Sequence, residues 1–73
     1  MNTIDIKVKG SIRLAQFLKL ANAVEDGAGA KIVVRSGDVE VNGTVEQRPG
    51  AQLQAGDLIT YHSPNAELRF RVA

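Results

Sequence analysis

Hydrophobic and polar residues alternate without interruption from Thr3 to Lys9. In an extended chain this alternation puts Ile4, Ile6 and Val8 on one side and the polar residues between them on the other. The pattern predicts a β-strand with one buried face. A second alternating run at residues 67–72 predicts another strand of the same kind near the end of the chain.

After Gly10 the hydrophobic period becomes helical. Leu14, Phe17, Leu18 and Ala21 recur at the spacing of one helix face, so we expect a first helix whose apolar stripe faces the core. Ser11 precedes this stripe and is the predicted cap, because its hydroxyl can accept an early backbone N–H.

A second helix is predicted from Asp26, a favourable capping residue, to about Ser36. Gly37 suits the left-handed position that follows a helix. The predicted packing face consists of three apolar residues, Ala30, Val33 and Val34.

From Asp38 onward the period is two, and Asn42-Gly43 between two such runs indicates a β-hairpin. A loop with an odd number of residues would keep Val45 on the same side as Val39 and Val41, so we favour a bulged turn. Another strand is expected at residues 58–62. The order of elements predicts an α+β domain, with two short helices packed on a small antiparallel sheet that carries added N- and C-terminal strands.

Size and composition restrict the function. With 73 residues, of which 44% are hydrophobic and 23% charged, we expect residues 1–73 to form a single domain with a thin core and no enclosed catalytic pocket. There is no cysteine and no continuous apolar run, which predicts a cytoplasmic protein without disulfides or membrane contact. We expect no enzyme activity and no cofactor, and we expect a monomer.

The chain offers no metal site. Its one histidine, His62, has no acidic or nucleophilic motif around it in the sequence, and neither paired histidines nor calcium-loop spacing occurs. We therefore expect a solvated histidine and no bound metal.

Charge is distributed unevenly although the net charge is only +1. Residues 1–36 carry six Lys and Arg against three Asp and Glu, whereas residues 37–73 carry three against five. Lys31 and Arg35 lie four apart on the second helix, where like charges repel each other. A phosphate backbone would offset that repulsion, and Arg13 and Lys19 of the first helix would join the patch if the helices pack side by side. Solvated charges on an exposed face are the alternative at this point.

Several motifs together resemble a known family. They are Arg13-Leu14-x-x-Phe17-Leu18-Lys19, then Ala30-Lys31 followed by Arg35, then Gly37-Asp38-Val39-x-Val41-Asn42-Gly43, and finally Gly56-Asp57-x-Ile59. In this order the motifs are similar to the ribosomal-protein-S-four-type RNA-binding domain, the alpha-L motif, over about residues 11–61. The short length resembles the small stand-alone bacterial members.

The resemblance implies binding of structured RNA, such as ribosomal or transfer RNA, through the helix pair and the hairpin. RNA helices are recognised by phosphates and 2′-hydroxyls, because side chains cannot read their deep major groove. The RNA contacts that the resemblance implies are Arg13, Lys19, Lys31, Arg35, Asn42 and Arg48.

One departure from the family pattern leaves an alternative function open. Members of the stand-alone type carry a basic cluster after the hairpin, whereas here Arg48 is followed by Pro49-Gly50-Ala51-Gln52. With fewer cations, the same fold would serve as a protein-protein interaction module with a reduced RNA surface.

Overall fold

The computed structural model describes residues 3–73 of the chain. Its elements are β1 (Thr3–Ile6), β2 (Ile12–Arg13), α1 (Leu14–Leu20), α2 (Gly27–Arg35), β3 (Val39–Val41), β4 (Thr44–Val45), β5 (Gln52–Leu53), β6 (Leu58–His62) and β7 (Glu67–Val72). Within these residues, no helix has the length and apolar character needed to cross a membrane.

The larger sheet has the spatial order β1-β7-β6-β3-β4, and β2 pairs with β5 in a separate two-stranded ribbon. β1 runs parallel to β7, and the other neighbours in the larger sheet are antiparallel. The predicted α+β class with two helices and a sheet is confirmed, but the sheet is mixed instead of wholly antiparallel. A parallel pair is feasible here because the long chain segment between β1 and β7 provides the crossover.

The two helices pack against each other and share one hydrophobic core with the larger sheet. Phe17 of α1 meets Phe70 of β7 edge to face, with ring centroids 6.2 Å apart and planes at 80°. Arg69 and Arg71 alternate with Phe70 along β7, so they lie on the opposite, outer face. The buried hydrophobic residues are Leu14, Phe17, Leu18, Ala30, Val34, Val39, Leu53, Ile59, Tyr61, Phe70 and Val72.

Helix α1 begins later than predicted. Its first residue is Leu14, so Arg13 occupies the cap position and the predicted cap Ser11 lies outside the helix. Gln16 satisfies the cap instead, because its Oε1 accepts the backbone N–H of Arg13 at 3.3 Å. The prediction was wrong because β2 pairs with β5 and keeps the chain extended up to Leu14.

Helix α2 follows the prediction closely. The Asp26 carboxylate accepts the backbone N–H of Gly29 at 2.7 Å and caps the helix. The helix ends at Arg35, and Gly37 has a left-handed φ of 85°. On its packing face Ala30 and Val34 are buried and Val33 is half-buried.

The β3–β4 hairpin closes through a strict two-residue turn. Asn42 and Gly43 have φ of 53° and 84°, and Val41 pairs directly with Thr44. The predicted bulged turn is therefore wrong, and Val45 lies on the outer face with 53% of its surface exposed. The turn decides this register, because left-handed φ at both central residues gives the backbone twist that hairpins favour.

Strand β1 is shorter and less buried than predicted. It ends at Ile6, after which Val8 continues the pairing through a backbone N–H donated to the carbonyl of Ala73 at 3.1 Å. Ile6 and Val8 pack against the core, but Ile4 is 54% exposed. Ile4 stays accessible because β1 is an edge strand of the sheet.

Candidate nucleic-acid interface

A groove of about 360 Å³ lies between the start of α1, the exposed side of α2 and the loop after β4. Three of the six predicted contact residues line it together, which are Arg13, Lys31 and Arg35. Its other lining residues are Ala15, Gln16, Pro49 and Gly50. We call this feature the basic groove.

The loop between β4 and β5 holds the two sides of the basic groove in place. At the start of α1, the backbone N–H of Ala15 donates to the carbonyl of Pro49 at 3.0 Å. At the end of α2, Gln47 Nε2 donates to the carbonyl of Arg35 at 3.2 Å. These bonds satisfy backbone groups that helix ends leave free, and they fix Arg13 relative to Arg35.

Helix periodicity directs the two cations of α2 outward. Lys31 and Arg35 are exposed, whereas Ala30 and Val34 are buried in the core. Because Lys31 and Arg35 are one turn apart, their charges repel. An anion placed between them would be attracted by both.

The cations of the basic groove have no internal partners. No ion pair within residues 3–73 includes Arg13, Lys31 or Arg35. The cause is local, since neither α1 nor α2 contains an acidic residue that could pair with a cation one helical turn away. Asp26 caps the opposite end of α2 from Arg35. The groove therefore keeps its positive charge for an external anion.

Lys19 lies beside the basic groove instead of within it. It lines a neighbouring groove of about 570 Å³ with Ile12, Leu20 and Asn22, and Gln16 lines both grooves. Lys19 also forms no ion pair within the described part of the chain. It extends the positive surface along α1.

Arg48 is held by an acidic neighbour. Its Nε and Nη2 each donate to a different oxygen of the Glu46 carboxylate at 3.0 Å. The hydrogen bonds from Arg48 lower the pKa of Glu46, and the Glu46 carboxylate raises the pKa of Arg48. Arg48 directly precedes Pro49 of the basic groove, so the cation is adjacent to the site but already paired.

The side chain of Asn42 is occupied by hydrogen bonds within the fold. Its Nδ2 donates to Asp57 Oδ1 at 3.1 Å, and its Oδ1 accepts the backbone N–H of Leu58 at 2.9 Å. Asp57 in turn accepts the backbone N–H of Gln54 at 2.8 Å. The Asn-Gly and Gly-Asp motifs are thus joined by one hydrogen-bonded latch between the hairpin and the start of β6.

Two glutamines that were not among the predicted site residues, Gln16 and Gln47, also hold the site together. Gln16 carries a recognisable signal, because a glutamine three residues after a helix cap is part of the capping box. The bond of Gln16 to the cap was not predicted because the cap was assigned to Ser11. Gln47 carries no such signal, since its bond to the end of α2 depends on how the loop folds back.

His62 is not a solitary histidine in the folded chain. Its Nε2 lies 2.6 Å from Glu40 Oε2, and its Nδ1 lies 3.4 Å from Glu67 Oε1. The expectation of a histidine without acidic neighbours was wrong because β3, β6 and β7 are adjacent only in the sheet. Among residues 3–73, no group of three or more His, Cys, Asp or Glu is arranged to hold a metal ion.

Comparison with known proteins assigns the family. A family model of the S4 domain matches residues 4–69. The chain belongs to the S4 domain family. This S4 domain is 34% identical to YbcJ of Escherichia coli over 61 residues, which are 84% of this chain and 87% of YbcJ. It is 40% identical over 48 residues to a Bacillus subtilis protein named "Probable ribosome maturation protein RlbA", covering 66% of this chain and 68% of that protein.

Solved structures agree with the family assignment. A solution structure of YbcJ from E. coli, described as an αL motif involved in RNA binding, superimposes with a TM-score of 0.63 at 31% identity over 97% of this chain and 86% of that one. The trimeric structure of Vibrio cholerae heat shock protein 15 gives a TM-score of 0.73 at 25% identity. That match covers 81% of this S4 domain and 59% of the heat shock protein. The predicted resemblance to the alpha-L motif is confirmed.

Proposed function

We propose that this S4 domain is a non-catalytic RNA-binding protein that holds structured RNA by its sugar-phosphate backbone in the basic groove. The observation that carries the proposal is that Arg13, Lys31 and Arg35 line one groove without an internal acidic partner. Unpaired guanidinium and ammonium groups bind phosphates through charge-assisted hydrogen bonds. The RNA-binding description of the YbcJ structure supports this function.

The aromatic residues favour paired RNA over single strands. Proteins that read unpaired bases stack them on exposed aromatic side chains. The chain has two Phe, one Tyr and no Trp, and Phe17, Tyr61 and Phe70 are all buried. With no aromatic side chain to stack on, the sugar-phosphate backbone of a helical RNA segment is the better fit.

The remaining predicted contact residues contribute to RNA binding in different ways in this proposal. Lys19 extends the surface along α1, and Arg48 lies at the loop side of the basic groove. Asn42 supports the hairpin through the Asp57 latch, so we assign it a positioning role. The missing cations after Arg48 leave the basic groove itself as the main source of affinity.

The proposal also covers the RNA target, the oligomeric state and the cellular location. The name of RlbA makes ribosomal RNA the first target to examine, ahead of transfer RNA. We infer that residues 1–73 act as one domain and as a monomer. We also infer a cytoplasmic location, which the absence of cysteine favours. Crosslinking in cells followed by sequencing of the attached RNA would identify the target.

Binding to a labelled RNA duplex of about 16 base pairs tests the function. With about four phosphate contacts, from Arg13, Lys19, Lys31 and Arg35, we expect affinity to fall roughly 10²-fold between about 50 and 200 mM salt. The double variant Lys31→Gln/Arg35→Gln removes two contacts, so the slope of log affinity against log salt should become shallower by about 1.8.

The matched control is Arg69→Gln/Arg71→Gln, which removes the same charge from the outer sheet face. It should leave the slope unchanged. An equal loss in both double variants would show that only net charge matters and would refute the basic groove as the site. Absence of duplex binding, together with protein partners that persist after nuclease treatment, would favour the protein-interaction module.

A further inference from the structure

Glu46 and Arg48 form a compact clasp at the edge of the basic groove. Besides its two guanidinium bonds to Glu46, Arg48 donates its backbone N–H to Glu46 Oε2 at 3.2 Å. The Arg48 side chain is nevertheless 80% exposed, whereas that of Glu46 is 21% exposed. The guanidinium is therefore accessible to solvent, although its Nε and Nη2 are bonded to the Glu46 carboxylate.

A second pair with the same spacing lies on the other side of the molecule. Arg69 donates from Nε and Nη2 to Glu67 Oε2 at 3.0 and 2.8 Å. In both pairs the glutamate lies two residues before the arginine along the chain. They differ in location, because Glu67 and Arg69 lie on the outer face of the sheet, away from the basic groove.

We propose that Glu46 competes with RNA phosphate for the Arg48 guanidinium and so limits how tightly the basic groove holds RNA. This inference rests on the function proposed above. A phosphate presents two oxygens to a guanidinium in the same bidentate manner as a carboxylate, so one can replace the other. Exposed ion pairs are weakened by water and salt, so the clasp opens when the summed negative charge of an RNA backbone approaches.

The clasp also explains how an arginine can sit beside the groove without adding its full charge. While Glu46 is ionised, Arg48 and Glu46 together are neutral toward RNA. Opening the clasp frees one cation but leaves the Glu46 carboxylate near the phosphates. Glu46 thus opposes RNA binding in two ways, and only the first of them depends on Arg48.

A double-variant cycle with the labelled RNA duplex tests the proposal. We expect Glu46→Gln to raise affinity about three- to tenfold at about 0.1 M salt and to steepen the salt slope by about 0.9, the value of one added phosphate contact. Arg48→Gln alone should lower affinity by less than Glu46→Gln raises it, because its guanidinium is already occupied and the variant adds only the repulsion of the unpaired Glu46 carboxylate. In the Arg48→Gln background, Glu46→Gln should only relieve that repulsion, so its gain in affinity should be smaller than in the unmodified protein.

Glu67→Gln is the matched control, since it removes the same charge and frees an arginine at the same sequence spacing on the outer face. It should leave duplex affinity within about twofold of the unmodified protein. Melting followed by circular dichroism confirms that each variant is folded.

Three results would overturn the clasp. They are an unchanged affinity in Glu46→Gln, a gain of equal size in the Arg48→Gln background, and an equal gain in Glu67→Gln. If Lys31→Gln/Arg35→Gln still weakens binding, these results reject the clasp alone and leave the proposed function standing. If the unmodified protein binds no duplex, both the function and the clasp are rejected.

Discussion

The basic groove and the outer face of the sheet both carry basic residues, but in opposite electrostatic states. In the groove, Arg13 and Lys31 have no acidic partner within residues 3–73. On the outer face, Arg69 pairs with Glu67 at 2.8 Å, and Arg71 lies 3.8 Å from Asp5. Although the net charge is only +1, the molecule therefore has one positive side and one side whose basic residues are paired with acidic ones.

The difference arises from how helices and sheets place neighbouring side chains. In the sheet, cross-strand register puts Asp5 beside Arg71, so opposite charges meet on one face. In the helices, each cation has neighbours only three and four residues away, and none of those within α1 or α2 is acidic. Whether Lys31 and Arg35 on α2, or Arg69 and Arg71 on β7, meet a carboxylate is thus decided by the element that carries them.

The largest expected effect is on stability, from the loss of the packing between α1 and the sheet. Phe17 joins α1 to β7 through Phe70, so Phe17→Ala should lower the free energy of unfolding by about 3–5 kcal/mol. Urea denaturation measures this change. Leu20→Ala, at an exposed position of the same helix, should cost only about 0.5 kcal/mol. Equal losses of stability in Phe17→Ala and Leu20→Ala would contradict the packing of Phe17 in the core.

The second effect concerns the latch that positions the hairpin. Asn22 and Asn42 both have left-handed φ, of 57° and 53°, but only Asn42 has side-chain hydrogen bonds within residues 3–73. Asn42→Ala should therefore destabilise the fold by about 1–3 kcal/mol more than Asn22→Ala, measured by urea denaturation. Folded Asn42→Ala protein should still bind duplex RNA within about twofold of the unmodified affinity. A large affinity loss without loss of stability would instead make Asn42 a direct RNA contact.

The third effect compares one cation from each side. Arg13→Gln should weaken duplex binding about eightfold at about 0.1 M salt, the value of one phosphate contact. Arg71→Gln should change it less than twofold, because Arg71 faces Asp5 on the outer face. Fluorescence anisotropy with the same RNA measures both. Equal losses would abolish the distinction between the two faces.

The smallest effect is the pH dependence of the Glu46–Arg48 pair. Because Arg48 lowers the pKa of Glu46 below 4.5 in the folded chain, the pair stabilises the fold above about that pH. Its contribution disappears as the pH falls through the lowered pKa. Urea denaturation should show Glu46→Gln slightly less stable than the unmodified protein near pH 7, and equally stable near pH 3. A difference that persists in acid would show that charge is not its source.

Local patterns were sufficient for much of the fold. Asp26 and Gly37 mark the ends of α2 correctly, because a cap and a left-handed glycine act within one helical turn. The apolar stripes of both helices face the core as predicted, although Ala21 and Val33 are only half-buried. Local reasoning was wrong at Ser11 and at Val45, where pairing of β2 with β5 and the geometry of the two-residue turn overrode it.

The sequence by itself determined the helices, the alternating strands, the uneven charge and the S4 resemblance, because each depends on residues that are close along the chain. Only the tertiary structure decided that Arg13 faces Lys31 and Arg35 across one groove and that Arg48 is already paired. It also decided that Asn42 serves the fold through Asp57. Those relations depend on the path of the chain between distant segments, which no local periodicity specifies.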